Sequence, residues 1–261
     1  MSVQYSQTNA SMPAREICAG CGIVTWLLPA GLGADDLTQV VRLCEHRRVI
    51  RRDHYLIHAG EPLTSLYFVN SGSMKSCLPD ADGRTQLIRF ALSGEILGMG
   101  AIDTGTHPSH MIALEDSSCC GIRYADLIRL GQSMPALQRH LHQAMSRKIT
   151  RNHELMLMLG SMNAEERLAR FLLDLSQRHA ARGYSASQFR LSMTRRDIGS
   201  YLGLKLETVS RLLAHLKDEQ ILAVNSRDIT IKDSDGLRQI GEGRRHVARL
   251  LAHSGAKASS K

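Results

Sequence analysis

No stretch of this 261-residue chain approaches the 18 or more consecutive apolar residues that a membrane-spanning helix needs. The apolar stretch at Ile23–Leu28 is only six residues and contains Thr25. The N-terminus also lacks the basic-then-apolar pattern of a secretory signal. The chain is therefore expected in the cytoplasm with no membrane partner. Thiols stay reduced there, so the six cysteines read as ligands or core residues rather than disulfides. The alternating βαβ units expected around a thioredoxin-like motif are missing near Cys18-Ala-Gly-Cys21, which disfavours a C-x-x-C redox enzyme. Compositional extremes are missing too: 43% hydrophobic and 22% charged residues exclude a disordered or collagen-like chain. The length suits two domains.

The charge that is present is unevenly placed. From Ser161 on there are 18 Lys and Arg against 11 Asp and Glu, whereas the first 160 residues hold 15 against 14. A near-neutral first part joined to a basic last part points to a polyanion met by the second. Taken alone, a solvated basic surface explains the step equally well.

Residues 1–29 form a cysteine-bearing segment, polar and Ser-rich over 1–17 and then carrying the C-x-x-C and the short apolar run. A helix is expected over Ala34–Glu45, where Leu37, Val40, Val41 and Cys44 share a face. From Arg47 to Tyr124 the runs become short and strand-like: His54–His58, Ser65–Val69, Met74–Leu78, Thr85–Phe90, Met111–Leu114 and Cys119–Ile122. Turn signals separate them, among them Asn70-Ser71-Gly72, Ser93-Gly94 and Asp82-Gly83. Asp-Gly between two such runs is a strong hairpin signal, because both central positions of a type I′ turn need positive φ. The pattern predicts an antiparallel β-roll over 30–134, with Cys44 and Cys77 in its core.

A long helix over 135–160 follows, with Pro135 in its first turn. Leu137, Leu141, Met145, Ile149, Asn152, Met156 and Leu159 recur about every 3.7 residues. Such a stripe packs either on its own domain or on a second copy. A single polar Asn152 in an apolar seam is the register-setting device of a two-helix interface, and no acidic residue on the stripe opposes self-pairing.

The region 161–235 has the order of a DNA-reading module. Asn163 caps a helix running to about His179, with Glu165 and Glu166 in its first turn. Gln188–Met193 is strand-like. Thr194 starts a second helix in which Asp197 completes a reciprocal cap. Gly203 breaks it, and a third helix runs through Leu206–Leu216. Leu222–Val224 and Asp228–Ile231 flank Asn225-Ser226-Arg227 as a wing-like hairpin. Helix, Gly-containing turn and helix within a basic region make a helix-turn-helix. Glu207, Ser210 and Arg211 share a face near the N-terminal end of its second helix, the end that reaches base edges in the major groove. A carboxylate for cytosine N4, a guanidinium for guanine O6 and N7, and a small hydroxyl form a coherent reading set. The plainer alternative for Glu207 and Arg211 is a surface ion pair four residues apart. Thr194, Arg195, Arg196, Lys205, Thr208 and His215 are candidates for contacts to the DNA backbone. The remainder, 236–261, reads as a basic tail without regular structure.

The segments Asn163-Ala-Glu-Glu-Arg-Leu-Ala-Arg-Phe, Leu191-Ser-Met-Thr-Arg-Arg-Asp-Ile-Gly-Ser-Tyr-Leu-Gly-Leu and Glu207-Thr-Val-Ser-Arg-Leu-Leu resemble the Crp/Fnr family of bacterial transcription regulators. The similarity is greatest to its oxygen-responsive Fnr branch. Ser71-Gly-Ser-Met-Lys-Ser and Gly94-Glu-Ile-Leu-Gly carry the resemblance into the β-roll. It implies an α+β fold: a cyclic-nucleotide-binding-like β-roll, a long dimerisation helix, and a C-terminal winged helix-turn-helix. It further implies a homodimer, not an enzyme, on double-stranded DNA. Glu207, Ser210 and Arg211 would read TTGAT and its inverted repeat, activating or repressing through RNA polymerase. One departure is Lys205 at the cap of the reading helix, where relatives carry Ser or Thr. A contact from Lys205 to a phosphate would offset the lost cap.

The family also frames what the β-roll senses. Cyclic-AMP-binding relatives hold the phosphate with an Arg-Ser or Arg-Thr pair after the Gly-Glu turn. Gly100–His110 contains no Arg or Lys, so no cyclic nucleotide is expected. Haem is not expected either, because no Cys or His follows Gly94-Glu95 where haem-binding relatives place one. Fnr proteins hold a [4Fe-4S] cluster on four thiolates. Cys18 and Cys21 match the first two ligands and Cys120 the last, but the third position is Leu27, which cannot bind iron. Three outcomes stay open. Cys119 substitutes, which needs a bulge because adjacent strand residues face opposite ways. A three-thiolate cluster forms with an exogenous ligand. Or the cluster is lost, leaving a constitutive regulator or one that senses through its thiols.

Overall fold

The computed structural model describes residues 22–244 apart from positions 46, 81, 83 and 84. Cys18 and Cys21 thus lie outside the described residues, as does Gly83 of the expected Asp-Gly turn. Two compact units divide the chain: Met1–Lys75 with Phe90–Ala144, and Ser76–Arg89 with Met145–Lys261.

Among the described residues the first unit begins with a short helix, α1 (Gly22–Leu27), and then α2 (Ala34–Arg42), whose Asp35 and Asp36 suit the positive end of the helix dipole. The expected continuation to Glu45 does not occur. Cys44 instead bridges to Ile122 and the Glu45 N–H donates to the Gly121 carbonyl at 2.8 Å, drawing the chain onto the sheet. Strands β1 (Arg48–Ile50), β2 (Tyr55–Ile57), β3 (Ser65–Ser71), β4 (Ser73–Pro79), β5 (Thr85–Leu92), β6 (Ile96–Leu97), β7 (His110–Ala113) and β8 (Ser117–Arg123) form two four-stranded sheets, ordered β1-β8-β3-β6 and β2-β7-β4-β5. This is the expected roll. Its core includes Ile57, Tyr67, Val69, Met74, Leu97, Met111 and Cys119. Strand alternation sends Phe68 and Cys120, register partners on β3 and β8, to the other face. There α1 covers them: Ile23 and Leu27 are fully buried, and the Trp26 ring lies 5.1 Å from Phe68 and 4.5 Å from His140. Burying such side chains contributes about 1.5–3 kcal/mol each.

After α3 (Tyr124–Ser133), the long helix α4 spans Pro135–Ser161, about 40 Å at 1.5 Å per residue. The expected stripe is split along it. Leu137 and Leu141 are 1% and 5% exposed and belong to the first unit's own core, whereas Ile149 and Met156 are 55% and 62% exposed. Asn152 lies exposed between them.

The second unit holds α5 (Ala164–Ala180), β9 (Gln188–Arg190), α6 (Arg195–Leu202), α7 (Leu206–Asp218), β10 (Leu222–Asn225), β11 (Asp228–Ile231) and α8 (Ser234–Gly241). Asn163 caps α5 as expected and Glu166 makes that cap reciprocal, while Thr194 and Asp197 form the expected reciprocal cap on α6. The sheet order β10-β11-β9 completes the wing. The tail reading of 236–261 is corrected at its start. Asp233 caps Gly236, Leu237 and Ile240 are buried, and Arg170 Nε donates to the Gly241 carbonyl at 3.0 Å. Residues 245–261 lie outside the described residues.

Candidate functional site

The turn between α6 and α7 is built by backbone chemistry. Gly203 sits at φ 64°, a left-handed conformation that favours glycine, and its N–H donates to the Gly199 carbonyl. Arg167 braces this turn from α5. Its guanidinium donates to the carbonyls of Met162 (2.9 Å), Leu202 (3.1 Å) and Leu159 (2.8 Å). One cation thus joins the end of α4 to the helix-turn-helix. Arg167→Ala is expected to lower unfolding free energy by about 2–4 kcal/mol, since hydrogen bonds from charged donors are worth more than neutral ones. Urea denaturation checks this, and a loss below about 1 kcal/mol would show the brace to be dispensable.

On α7, Val209, Leu213 and Leu216 are buried, which fixes the opposite face outward. Glu207 and Arg211 lie on that face, both exposed. Among the described residues they form no ion pair with each other or with any other side chain, so both heads are available. Ser210 is half-buried, and its Oγ accepts from Arg195 Nη1 at 3.2 Å. This contact ties α6 to α7. Arg196 and Lys205 are exposed, and Lys205 makes no side-chain cap. Thr208 is half-buried. Besides Arg195, two more of the residues named for the backbone have other engagements. The Thr194 hydroxyl is spent on Asp197, and His215 Nε2 lies 3.6 Å from Glu165 Oε1, directed at the first turn of α5. The sequence signal missed a further element. Gln86, from the β4–β5 hairpin, donates to the Ser200 carbonyl of α6 at 2.7 Å.

The cysteine face is organised by β8. Cys119 points into the roll core and its thiol is pushed up to about 12, by burial first and by Cys120 second. It stays a neutral thiol at ordinary pH, and although the β3–β8 register shifts between Val69 and Ser71, beside Cys119, the Cys119 side chain still packs in the roll core. Cys119 is thus packed in the roll core, not beside α1. Cys120 faces α1, where its Sγ accepts from Asn70 Nδ2 at 2.8 Å. Leu27, at the third ligand position, is fully buried as core. Among the described residues, no group of three or more His, Cys, Asp or Glu is placed to hold a metal ion. Of the Fnr-type ligand positions, the described residues include Cys120 and Leu27, and a leucine cannot bind iron. Within the described residues no helix is long and apolar enough to cross a membrane.

A roll, a long helix and a winged helix-turn-helix with Glu207 and Arg211 exposed on its second helix define a DNA-binding transcription regulator. Residues 47–134 match the cyclic nucleotide-binding domain and 166–240 the Crp-like helix-turn-helix domain. The chain is 40% identical over 223 residues to the transcriptional regulatory protein btr of Bordetella pertussis, covering 85% of this chain and 92% of that one. It is 41% identical over 231 residues to the fumarate and nitrate reduction regulatory protein of Escherichia coli, covering 88% and 92%. The structure of FixK2 from Bradyrhizobium japonicum superposes with a TM-score of 0.68 at 30% identity, covering 75% of this chain and 96% of that one. The chain belongs to the Crp/Fnr family of transcription regulators. Its relatives are regulators, not enzymes.

Proposed function

We propose that this protein acts in the cytoplasm as a homodimer on Fnr-like palindromic sites, with Glu207, Ser210 and Arg211 reading bases in adjacent turns of the major groove. The observation that carries this is the pair of unpaired, exposed heads one turn apart on α7. Ile149, Asn152 and Met156 would meet their copies across the dimer axis. Arg195, Arg196, Lys205 and Thr208 would hold phosphates, and the DNA-bound dimer would engage RNA polymerase. The test is binding to a TTGAT palindrome against a scrambled duplex of equal length. A specific site is expected to be preferred by about 10³-fold or more, and equal affinity would overturn the reading.

Lys205 offers a finer check. Lys205→Ser is expected to stabilise α7 by about 1 kcal/mol through the restored cap. It should also flatten the salt dependence of operator binding by roughly 1.8 per dimer, since each lost phosphate contact removes about 0.9. An unchanged slope would show that Lys205 touches no phosphate.

The signal, on this reading, is oxygen or redox state acting through Cys18, Cys21 and Cys120. The similarity to fumarate and nitrate reduction regulators supports it. Leu27 in the core favours a second reading, a cluster-free regulator of the same fold that binds DNA constitutively. Anaerobic purification, iron analysis, and operator binding before and after air separate the two. An air-sensitive affinity supports the first. Iron-free protein with unchanged affinity establishes the second.

A further inference from the structure

The cysteine face contains a connection that the reading of DNA does not use. Asn70 lies near the end of β3, and its side-chain amide is engaged at both ends. Its Oδ1 accepts from the Gly22 N–H at 2.7 Å, and its Nδ2 donates to Cys120 Sγ at 2.8 Å. Gly22 is the residue directly after Cys21. Its approach to β3 is so close that an added Cβ would lie 2.2 Å from the Val69 carbonyl oxygen. Only glycine allows the first N–H of α1 to reach this amide. The Asn70 backbone is held in turn, its carbonyl accepting from Ser93 Oγ at 2.6 Å. From Gly22 the contact continues through α1 to Trp26, whose ring packs edge-on against His140, 1% exposed on α4.

We propose that Asn70 is a positioning residue that couples the Cys120 sulfur to the docking of α1, and through Trp26 and His140 to the first turns of the long helix. A planar amide cannot shift one end without shifting the other. Any change in the capacity of Cys120 to accept a hydrogen bond is therefore felt at Gly22, where one of the orphan N–H groups of a helix start is satisfied. Leu27, Ile23 and Trp26 supply the packing that keeps α1 on the sheet, and Asn70 supplies its dependence on the sulfur. The inference rests on the reading that Cys120 belongs to the sensing machinery, and it names how that sulfur reaches α4.

Trp26 is the chain's single tryptophan, so its emission reports α1 directly. The experiment uses the full chain, reduced and without DNA, and compares acrylamide quenching in wild type, N70A, C120A and N70A/C120A. N70A is expected to shift emission to the red and raise the quenching constant at least about twofold, as local opening exposes a buried ring, with far-UV circular dichroism unchanged. C120A should shift emission the same way by less, and add nothing in the N70A background. Wild-type quenching in N70A, or effects of N70A and C120A that simply add, would overturn the coupling. N70D keeps the test decisive should N70A fail to fold. Its carboxylate still accepts from Gly22 but has no N–H for the sulfur. Emission in N70D should lie near that of C120A and be insensitive to adding C120A, and a C120A effect that persists in the N70D background would sink the proposal. These readouts need neither operator nor air. Operator affinity that is equal with and without air would remove the redox reading and leave the Asn70 result standing on its own.

Discussion

Replacing both Glu207 and Arg211 by alanine is expected to erase the preference for a palindromic operator while leaving binding to scrambled duplex nearly intact. Each good bidentate contact to a base is worth about 1–3 kcal/mol of discrimination, and a dimer uses each contact twice. Arg211→Ala alone should therefore cost about 2–6 kcal/mol, roughly 30-fold or more in specific affinity. Non-specific affinity is carried by Lys and Arg facing phosphates and should change much less. The measurement is a pair of binding titrations at one fixed salt concentration. A double variant that still prefers the palindrome would move the reading head elsewhere on α7. The single variants add detail: Glu207→Ala should relax choice at the cytosine it faces, and Arg211→Ala at the guanine.

The second large effect concerns the long helix. Ile149 and Met156 are more than half exposed in the single chain, seven residues apart with Asn152 between them. Exposed aliphatic side chains at that spacing are what a two-helix seam requires. Ile149→Glu combined with Met156→Glu would put like charges across that seam and is expected to yield a folded monomer. Sedimentation or light scattering at micromolar concentration checks this. Operator affinity should fall by 10²-fold or more (about 2.7 kcal/mol), because two half-sites are no longer bound together. A variant that remains a dimer would place the seam on another face. Leu137→Glu serves as the contrast. That residue is buried in its own unit, so the substitution should unfold the roll rather than split the dimer.

Much of this architecture was legible before any coordinates. The strand-like runs and turn signals located six of the eight strands of the roll, because an antiparallel sheet with one buried face writes its period into the chain. β1 and β6 escaped notice. They are three and two residues long, and pairing with β8 and β3 rather than internal periodicity makes them strands. The caps at Asn163 and Thr194 were readable because each partner lies three residues away. The end of α2 was not, since Gly121, which draws Glu45 out of the helix, is remote in sequence. The same distinction applies at the site. Spacing put Glu207, Ser210 and Arg211 on one face, yet it could not say that Arg195 holds Ser210 or that Glu165 faces His215.

The amino-acid order alone settled the local matters: the caps, the Gly203 break, the outward set on α7, and the opposed directions of Cys119 and Cys120. Each depends on residues within a helical turn or a strand pair, where geometry repeats with fixed period. Only the tertiary structure decided which part of the α4 stripe is core and which is left exposed, that α8 continues past residue 235, and that Asn70 spans Gly22 and Cys120. Those outcomes depend on groups 48 and 50 residues apart in the case of Asn70. Their meeting is set by how sheets and helices pack, and no local period encodes it.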